Sequence, residues 1–219
     1  MKGMGGATGV LILTSFFFPK PDDPADHAAF LELLVENAAL TQAILLAVPL
    51  GIWALVAGVA GIQKSMVGGT GASFARPGLY GVVGGAAVIT VQFALGSGAV
   101  SEGAAGETGV ALWAAATYVR SFGMLVMWLG LATVGIGILA SALYPAWSGW
   151  VVIVVGVAMV GVSVLTIVAG ATLTATIISG GLAALTALWA IAIGIWTTNR
   201  AVHQQSVVGG ADVRTGGST

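Results

Sequence analysis

Charged residues are so sparse that the uncharged runs between them predict the membrane-spanning helices. Residues 37–63, 77–101 and 121–199 contain no Asp, Glu, Lys or Arg. Because a helix needs roughly 20 apolar residues to cross the hydrocarbon core, the first two runs each hold one helix and the third holds more than one. We therefore predict spans at about 37–63, 77–100, 109–142, 150–169 and 172–197.

The first break in the long uncharged run lies around Pro145. Proline removes a helical hydrogen bond and ends a helix, and Tyr144, Trp147 and Trp150 stand beside it. Tyr and Trp rings favour the membrane–water boundary. The segment is therefore interpreted as a tight interfacial loop.

The second break is predicted at residues 169–172, around Gly170. It divides the remaining chain into two helices that are each long enough to cross the membrane. The alternative break, at Gly180 and Gly181, leaves a less balanced pair of helices.

The N-terminal segment 3–19 is a further candidate span. Its apolar run resembles the core of a signal peptide, but Phe18, Pro19 and Lys20 offer no small-residue cleavage site. We expect a short uncleaved span and hence six spans, with five as the alternative if the segment does not cross. Residues 1–200 then form a single transmembrane bundle, and the polar, glycine-rich residues 201–219 form a mobile cytoplasmic tail.

Composition supports a membrane protein and excludes several other classes. The chain has 219 residues, of which 58% are hydrophobic and 7% are charged, whereas a soluble domain carries about 25% charged residues. Its mean hydropathy is +1.02. Soluble enzymes, nucleic-acid binders and disordered regulators need more charge, and the absence of cysteine excludes disulfides and thiolate metal sites. The predicted fold class is all-α, a polytopic helical bundle in a lipid bilayer.

The basic residues indicate the orientation of the bundle. Lys64 and Arg76 share one predicted loop, while Arg200 and Arg214 share the C-terminal region. Four predicted spans separate these two regions, so both lie on the same side of the membrane. The positive-inside bias places that side in the cytoplasm, and we expect a multi-pass plasma-membrane protein with a cytoplasmic C-terminus. The opposite side carries mostly acidic residues: Asp22, Asp23, Asp26, Glu102 and Glu107.

Glycine is unusually frequent, with 34 residues, many of them inside the predicted spans. In lipid, small residues allow helix backbones to approach closely, and this approach drives helix association. We therefore expect close helix packing along the spans. The glycines concerned are Gly81, Gly84, Gly85, Gly130, Gly135, Gly137, Gly156 and Gly161.

Arg120 is the charged residue inside a predicted span and is a functional hypothesis for that reason. One interpretation places it near the outer membrane boundary, where its side chain extends into the headgroups. The other buries it and pairs it with Glu36, Glu107 or the amide of Gln92. A transport site would require Arg120, Gln92 and Gln42 to converge on a cavity.

A second cluster lies at residues 22–27. Asp23, Asp26 and His27 are candidate metal ligands, because Asp23 and His27 are four residues apart and could share a helix face. The favoured interpretation is helix capping, with Asp23 as N-cap, Pro24 at the first helical position and Asp26 beside the positive helix end. The amphipathic helix would then continue into the span at 37–63. His27 and His203 are predicted to lie on opposite sides of the membrane, which argues against a bis-histidine haem.

The stretch from Arg120 to Gly156 resembles a family of bacterial six-helix membrane proteins of unknown function. The family pattern is a glycine-rich span, a short loop reading roughly Leu-Pro-x-Trp-x-Gly-Trp, and another glycine-containing span. This resemblance implies six helices and supplies no activity, cofactor or site residue. The matching residues are Trp128, Gly130, Pro145, Trp147, Gly149, Trp150 and Gly156, with Tyr144 where the pattern has leucine.

The sequence therefore favours a structural or accessory subunit that packs against other membrane proteins or against further copies of itself. The alternative is a small transporter or channel with Arg120 in a polar cavity. A membrane enzyme or metal-binding protein would require the 22–27 cluster to be a site. We expect no catalytic residue and no cofactor, because no nucleophilic triad, phosphate-binding loop or metalloprotease helix is recognisable.

Overall fold

The computed structural model describes residues 26–103, 106–170 and 172–215, which are helical and contain no β-strand. Asn37 separates the first two helices, and short connections join the others. The helices are α1 (His27–Glu36), α2 (Ala38–Ser65), α3 (Ala72–Glu102), α4 (Glu107–Ser141), α5 (Ala146–Ala169) and α6 (Leu173–Thr215).

Five of these helices are long and apolar enough to cross a membrane, namely α2 to α5 and the Leu173–Thr197 part of α6. The chain is therefore a polytopic, α-helical integral membrane protein, and the predicted fold class is confirmed. The further predicted span, at residues 3–19, lies outside the described residues. The connection between α5 and α6 falls at Gly170, whose positive φ of 85° suits glycine.

The amphipathic helix before the first long span is separate from it, which corrects the prediction of one continuous helix. Asn37 leaves the helical conformation at φ −116° and ψ 40°. Across this break, the buried Thr41 hydroxyl donates to the carbonyl of Leu34 at 3.0 Å. The break turns α1 so that Leu31 and Leu34 are fully buried. Apolar burial on α1 therefore outweighs the gain from continuing one helix.

Two other boundaries differ from the prediction. Helix α5 begins four residues early, because the Pro145 carbonyl accepts from both the backbone N–H and the hydroxyl of Ser148, at 2.9 and 2.7 Å. The predicted interfacial loop is correspondingly short, and Trp147 and Trp150 lie in α5. Helix α6 continues to Thr215 through the predicted tail, with Gly209 and Gly210 inside it.

Helices α3 and α4 are antiparallel and approach through glycines on both sides. A Cβ added at Gly85 would lie 2.5 Å from the backbone nitrogen of Met127, and one at Gly81 would lie 2.9 Å from the Cα of Gly130. We call this contact the α3–α4 seam. Its glycines are Gly78, Gly81 and Gly85 on α3 and Gly123, Gly130 and Gly137 on α4.

Helices α4 and α5 also approach through glycines. A Cβ at Gly135 would lie 2.9 Å from the carbonyl oxygen of Gly149, and one at Gly156 would lie 2.9 Å from that of Trp128. Not every glycine has this role, because Gly84 and Gly161 have no such neighbour within 4 Å.

The helices do not all end at the same level. Gly156 of α5 packs beside Trp128 and Ala132 of α4, and Ala169 lies about 20 Å further along at 1.5 Å per residue. Because the two helices are antiparallel, α5 ends level with about residue 117 of α4. Helix α4 extends beyond that level to Glu107, by about 15 Å.

This extension is closed by α1, and we call it the α1 end. A separate hydrophobic cluster joins α1 to α2, α3 and α4 there, and Phe30 packs edge-on against Trp113 with ring centroids 5.2 Å apart. The buried members of the cluster are Leu31, Leu34, Leu45, Ala99, Val100 and Trp113.

The opposite end, which we call the Tyr144 end, joins three parts of the chain. The Tyr144 hydroxyl hydrogen-bonds the Ser65 hydroxyl at 2.8 Å, and its ring packs against Trp196 with centroids 5.6 Å apart. Tyr144 therefore links the end of α2 to the α4–α5 connection and to α6. Lys64 and Arg76, from the end of α2 and the start of α3, lie at this same end.

Candidate functional site

Arg120 lies on the face of α4 that elsewhere packs into the core. Residues at alternating spacings of three and four share one face of a helix. Arg120 is the first residue of such a series on α4, and the other members are buried or packed against the core. Arg120 itself is exposed. We call this series the core-facing stripe, and it consists of Arg120, Met124, Met127, Leu131, Val134 and Ile138.

The exposure of Arg120 therefore does not come from the outer face of the helix. The outer face carries Tyr118 and Phe122, each 55% exposed, and both lie about 160° around the helix from Arg120 at 100° per residue. A side chain on the core-facing stripe is accessible only where the bundle is open. Arg120 thus marks an opening into the bundle at the level where α5 ends.

Arg120 forms no hydrogen bond or ion pair with any residue in the described ranges. The predicted acidic partners, Glu36 and Glu107, are both exposed. Glu107 lies thirteen residues before Arg120 on the same helix, about 20 Å away along its axis. No carboxylate in the described part of the chain therefore pairs with the Arg120 charge.

Gln92 is buried beside the stretch of α4 that contains Arg120. It is 7% exposed. On α3, Ile89 and Gly96 lie on either side of Gln92 along the chain, and they pack against Gly123 and Trp113 of α4. Its side-chain oxygen is buried and accepts no hydrogen bond. An unsatisfied buried polar atom is uncommon in native proteins and calls for an explanation. Gln92 and Arg120 are thus at a similar level, but no hydrogen bond joins them.

Gln42 belongs to a different polar group, between α2 and α3 at the α1 end. Its amide nitrogen donates to the carbonyl oxygen of Ser97 at 3.1 Å and to the hydroxyl of Ser101 at 3.4 Å. Its amide oxygen accepts from the Ser97 hydroxyl at 2.6 Å. These bonds satisfy the Gln42 amide within the bundle. The structure therefore does not gather Gln42, Gln92 and Arg120 around one cavity.

The candidate metal cluster is only partly described. Asp23 lies outside the described residues, and the described ranges contain no group of three potential metal ligands. Asp26 is the N-cap of α1, since its carboxylate accepts from the backbone N–H of Ala29 at 3.0 Å. Asp23 was the predicted N-cap of this helix. The observed N-cap is Asp26, because α1 begins at His27. The buried Nδ1 of His27 has no hydrogen-bond partner.

A small cavity lies between α4, α5 and α6, and no pattern in the sequence predicts it. Its volume is about 10 Å³, far below the 300–1,000 Å³ or so of a small-molecule pocket. Trp128, Leu131, Thr186 and Trp189 are among its lining residues. The indole nitrogen of Trp189 is buried without a hydrogen-bond partner.

Trp113 and Trp53 also have roles that their residue type did not indicate. Trp residues of membrane helices commonly serve as interfacial anchors. Trp113 is 6% exposed and belongs to the buried cluster at the α1 end. Trp53 donates from its indole nitrogen to the Thr90 hydroxyl at 3.1 Å, which ties α2 to α3. The spacing of Trp113 from Arg120 and Met127, seven residues each time, is the signal that places it on the buried side.

Comparison of the chain with protein-family models, with curated proteins and with solved structures finds no match.

Proposed function

We propose that the protein is an accessory membrane subunit that binds another membrane protein through the first turns of α6. The observation that carries this proposal is the exposure of Thr172–Ile178. Every residue in that range is exposed apart from Ala175. Because these residues lie on nearly all sides of the helix, only the side that carries Ala175 is partly covered by the bundle.

The remainder of α6 is held firmly enough to position that segment. Trp189 and Ile193 are each 4% exposed and join the main hydrophobic core. Trp196 packs against Tyr144 at the other end of the span. The first turns of α6 therefore project from an anchored helix and form a defined surface.

The exposed segment has the composition of a helix–helix interface in a membrane. Thr172, Thr174, Thr176 and Gly181 are small, exposed residues, and Gly181 has no neighbour that an added Cβ would meet within 4 Å. Small residues are enriched where transmembrane helices approach each other closely. The Thr176 hydroxyl is bonded to the Thr172 carbonyl at 3.0 Å, so it leaves a small apolar surface for a partner helix.

The proposed location is the plasma membrane, with the Tyr144 end and the C-terminus in the cytoplasm. The support is the placement of Lys64 and Arg76 at the Tyr144 end, opposite the acidic α1 end. Cytoplasmic loops carry an excess of Lys and Arg. The resemblance to bacterial six-helix membrane proteins is consistent with this location. A relationship to that family is likewise a proposal.

The composition of the native particle tests the accessory role. We expect the protein, extracted gently from its own membrane, to comigrate on a native gel with another polypeptide in a fixed ratio. Ile177→Trp enlarges the exposed segment, where Ile177 is 60% exposed, and should release that polypeptide. Leu50→Trp is the matched control, since Leu50 is 68% exposed on α2. A wild-type protein that runs alone would refute the accessory role.

A small transporter is the second candidate, and the position of Arg120 on the core-facing stripe favours it. In this account Arg120 attracts an anionic solute into the opening at the end of α5. Arg120→Leu should then abolish a transport phenotype without lowering the protein level. Arg76→Leu, which removes an exposed cation from the Tyr144 end, should leave transport intact. Unchanged transport in the Arg120 variant excludes this function.

A further inference from the structure

We propose that Arg120 binds the phosphate of an anionic membrane phospholipid, which enters the bundle sideways at the level where α5 ends. This proposal does not rest on the accessory role, and it gives Arg120 a different ligand from the one in the transporter alternative. It rests on the level of Arg120 in the membrane, its unmet charge, the acidity of the α1 end and the open side of the bundle.

The level of Arg120 matches the headgroup region. Helix α5 has 24 residues and is about 36 Å long, just enough to cross a hydrocarbon core of about 30 Å. Its two ends therefore lie close to the two membrane surfaces. Because α5 ends level with about residue 117 of α4, Arg120 lies within about 5 Å of one surface along the helix axis.

The charge of Arg120 requires an anion at this level. An arginine in a membrane-embedded bundle is costly without a counter-charge or polar ligands. Arg120 has neither among the described residues, and its guanidinium group matches the geometry of a phosphate through paired N–H donors. The Gln92 side chain lies at a similar level, but its oxygen accepts no hydrogen bond from Arg120.

The surrounding charges favour a lipid over an anion from the water phase. The α1 end carries exposed carboxylates and, apart from Arg120, no described basic residue, so it repels free anions. A lipid approaches within the bilayer and avoids these groups. The carboxylates are Asp26, Glu32, Glu36, Glu102 and Glu107.

The structure also provides a lateral path and a surface for the acyl chains. At the level of Arg120, the residues in the first turns of α6 are exposed apart from Ala175, so lipid reaches the bundle there. Leu173, Ile177 and Ile178 of this segment are 47%, 60% and 47% exposed. The next residue of the core-facing stripe, Met124, is only partly buried, so an acyl chain extending from the headgroup meets apolar side chains.

Lipid retention measured by native mass spectrometry tests this site. The protein is reconstituted in bilayers of phosphatidylcholine with a minority of phosphatidylglycerol, and the bound lipids are counted after mild delipidation. We expect one retained phosphatidylglycerol. Arg120→Gln should weaken its retention about tenfold or more, as loss of a hydrogen-bonded charge pair does. Arg120→Lys keeps the charge but loses the paired donors, so its retention should lie between those of the wild type and Arg120→Gln. Arg76→Gln is the control, since it removes an exposed cation from the opposite end.

The other arms separate a lipid from a free anion. Millimolar inorganic phosphate should not displace the lipid from the wild-type protein, and bilayers of phosphatidylcholine alone should leave no lipid tightly bound. Displacement by inorganic phosphate would overturn the lipid assignment. Equal retention in wild type and Arg120→Gln, or equal loss in Arg76→Gln, would overturn the site. The measurements on the wild-type protein, with and without phosphatidylglycerol and inorganic phosphate, test the lipid assignment even if Arg120→Gln does not fold.

Discussion

The α3–α4 pair and the α5–α6 pair are joined in different ways, although all four helices are rich in small residues. In the α3–α4 seam, glycines from both helices meet backbone atoms of the partner, as Gly81 meets Gly130 and Gly85 meets Met127. In α6, a Cβ added at Gly181 or Gly194 would meet no neighbouring atom within 4 Å. Helix α6 is held instead by large side chains, including Trp189 and Ile193.

The difference shows that glycine content and helix contact are separate properties. A glycine brings two helices together only where its missing side chain faces a backbone that can fill the space. The seam therefore gives α3 and α4 one fixed arrangement. The small residues of α6 remain available, and this is why we place a partner there.

The largest expected effect comes from filling the seam at Gly85. A Cβ at this position would meet Met127 backbone and side-chain atoms at 2.5 Å, so the helices must separate. Gly85→Leu should lower the free energy of unfolding by about 3 kcal/mol, at the upper end of overpacking effects. Reversible unfolding in mixed micelles measures this change.

The adjacent residue provides the matched control. Gly84 has no such neighbour within 4 Å, and Gly84→Leu makes the same chemical change one position away. It should alter the free energy of unfolding by less than about 0.5 kcal/mol. Equal destabilisation by the two variants would show that the seam does not depend on close glycine contact.

A smaller effect is expected from the polar group between α2 and α3. Gln42→Leu removes the hydrogen bonds to Ser97 and leaves the Ser97 hydroxyl without its 2.6 Å acceptor. Hydrogen bonds between transmembrane helices contribute about 0.6 kcal/mol each on average, so we expect a loss of about 1 kcal/mol in the same unfolding assay. Ser101→Ala removes the 3.4 Å contact to Gln42 and the bond of the Ser101 hydroxyl to the Ser97 carbonyl within α3, and it leaves the Gln42–Ser97 bonds in place; it serves as the control. A larger loss in Ser101→Ala than in Gln42→Leu would contradict this assignment.

The smallest effect is expected at Gly181 of α6. Gly181→Leu places a side chain where an added Cβ meets nothing within 4 Å, so the purified protein should change in unfolding free energy by less than about 0.5 kcal/mol. The same variant should lose its partner in the native membrane. A strong destabilisation of the purified protein would mean that α6 packs more tightly than its exposure indicates.

The spans could be predicted from sequence because charge is excluded from the membrane core over long distances. The break at Gly170 followed from helix length, and the loop at Pro145 followed from proline chemistry. The separation of α1 from α2 at Asn37 could not be predicted, since it depends on the burial of Leu31 and Leu34 against other helices.

The candidate site was less predictable than the fold. Arg120 stood out as a charge inside a span, but its position on the core-facing stripe depends on how α3, α5 and α6 surround α4. Composition alone could not distinguish Gly84 from Gly85, because only the direction of the missing side chain separates them. Gln42 and Gln92 looked equivalent in sequence, yet Gln42 is hydrogen-bonded and the Gln92 oxygen is not.

Photo-crosslinking in the native membrane tests the central claim, that the first turns of α6 bind another protein. A photoreactive benzoylphenylalanine is placed at Ile177 or, as control, at Leu50 on α2, which is also exposed. We predict that position 177 forms an adduct with one other polypeptide, while position 50 forms adducts mainly with lipid. Lipid adducts alone at position 177 would contradict the claim.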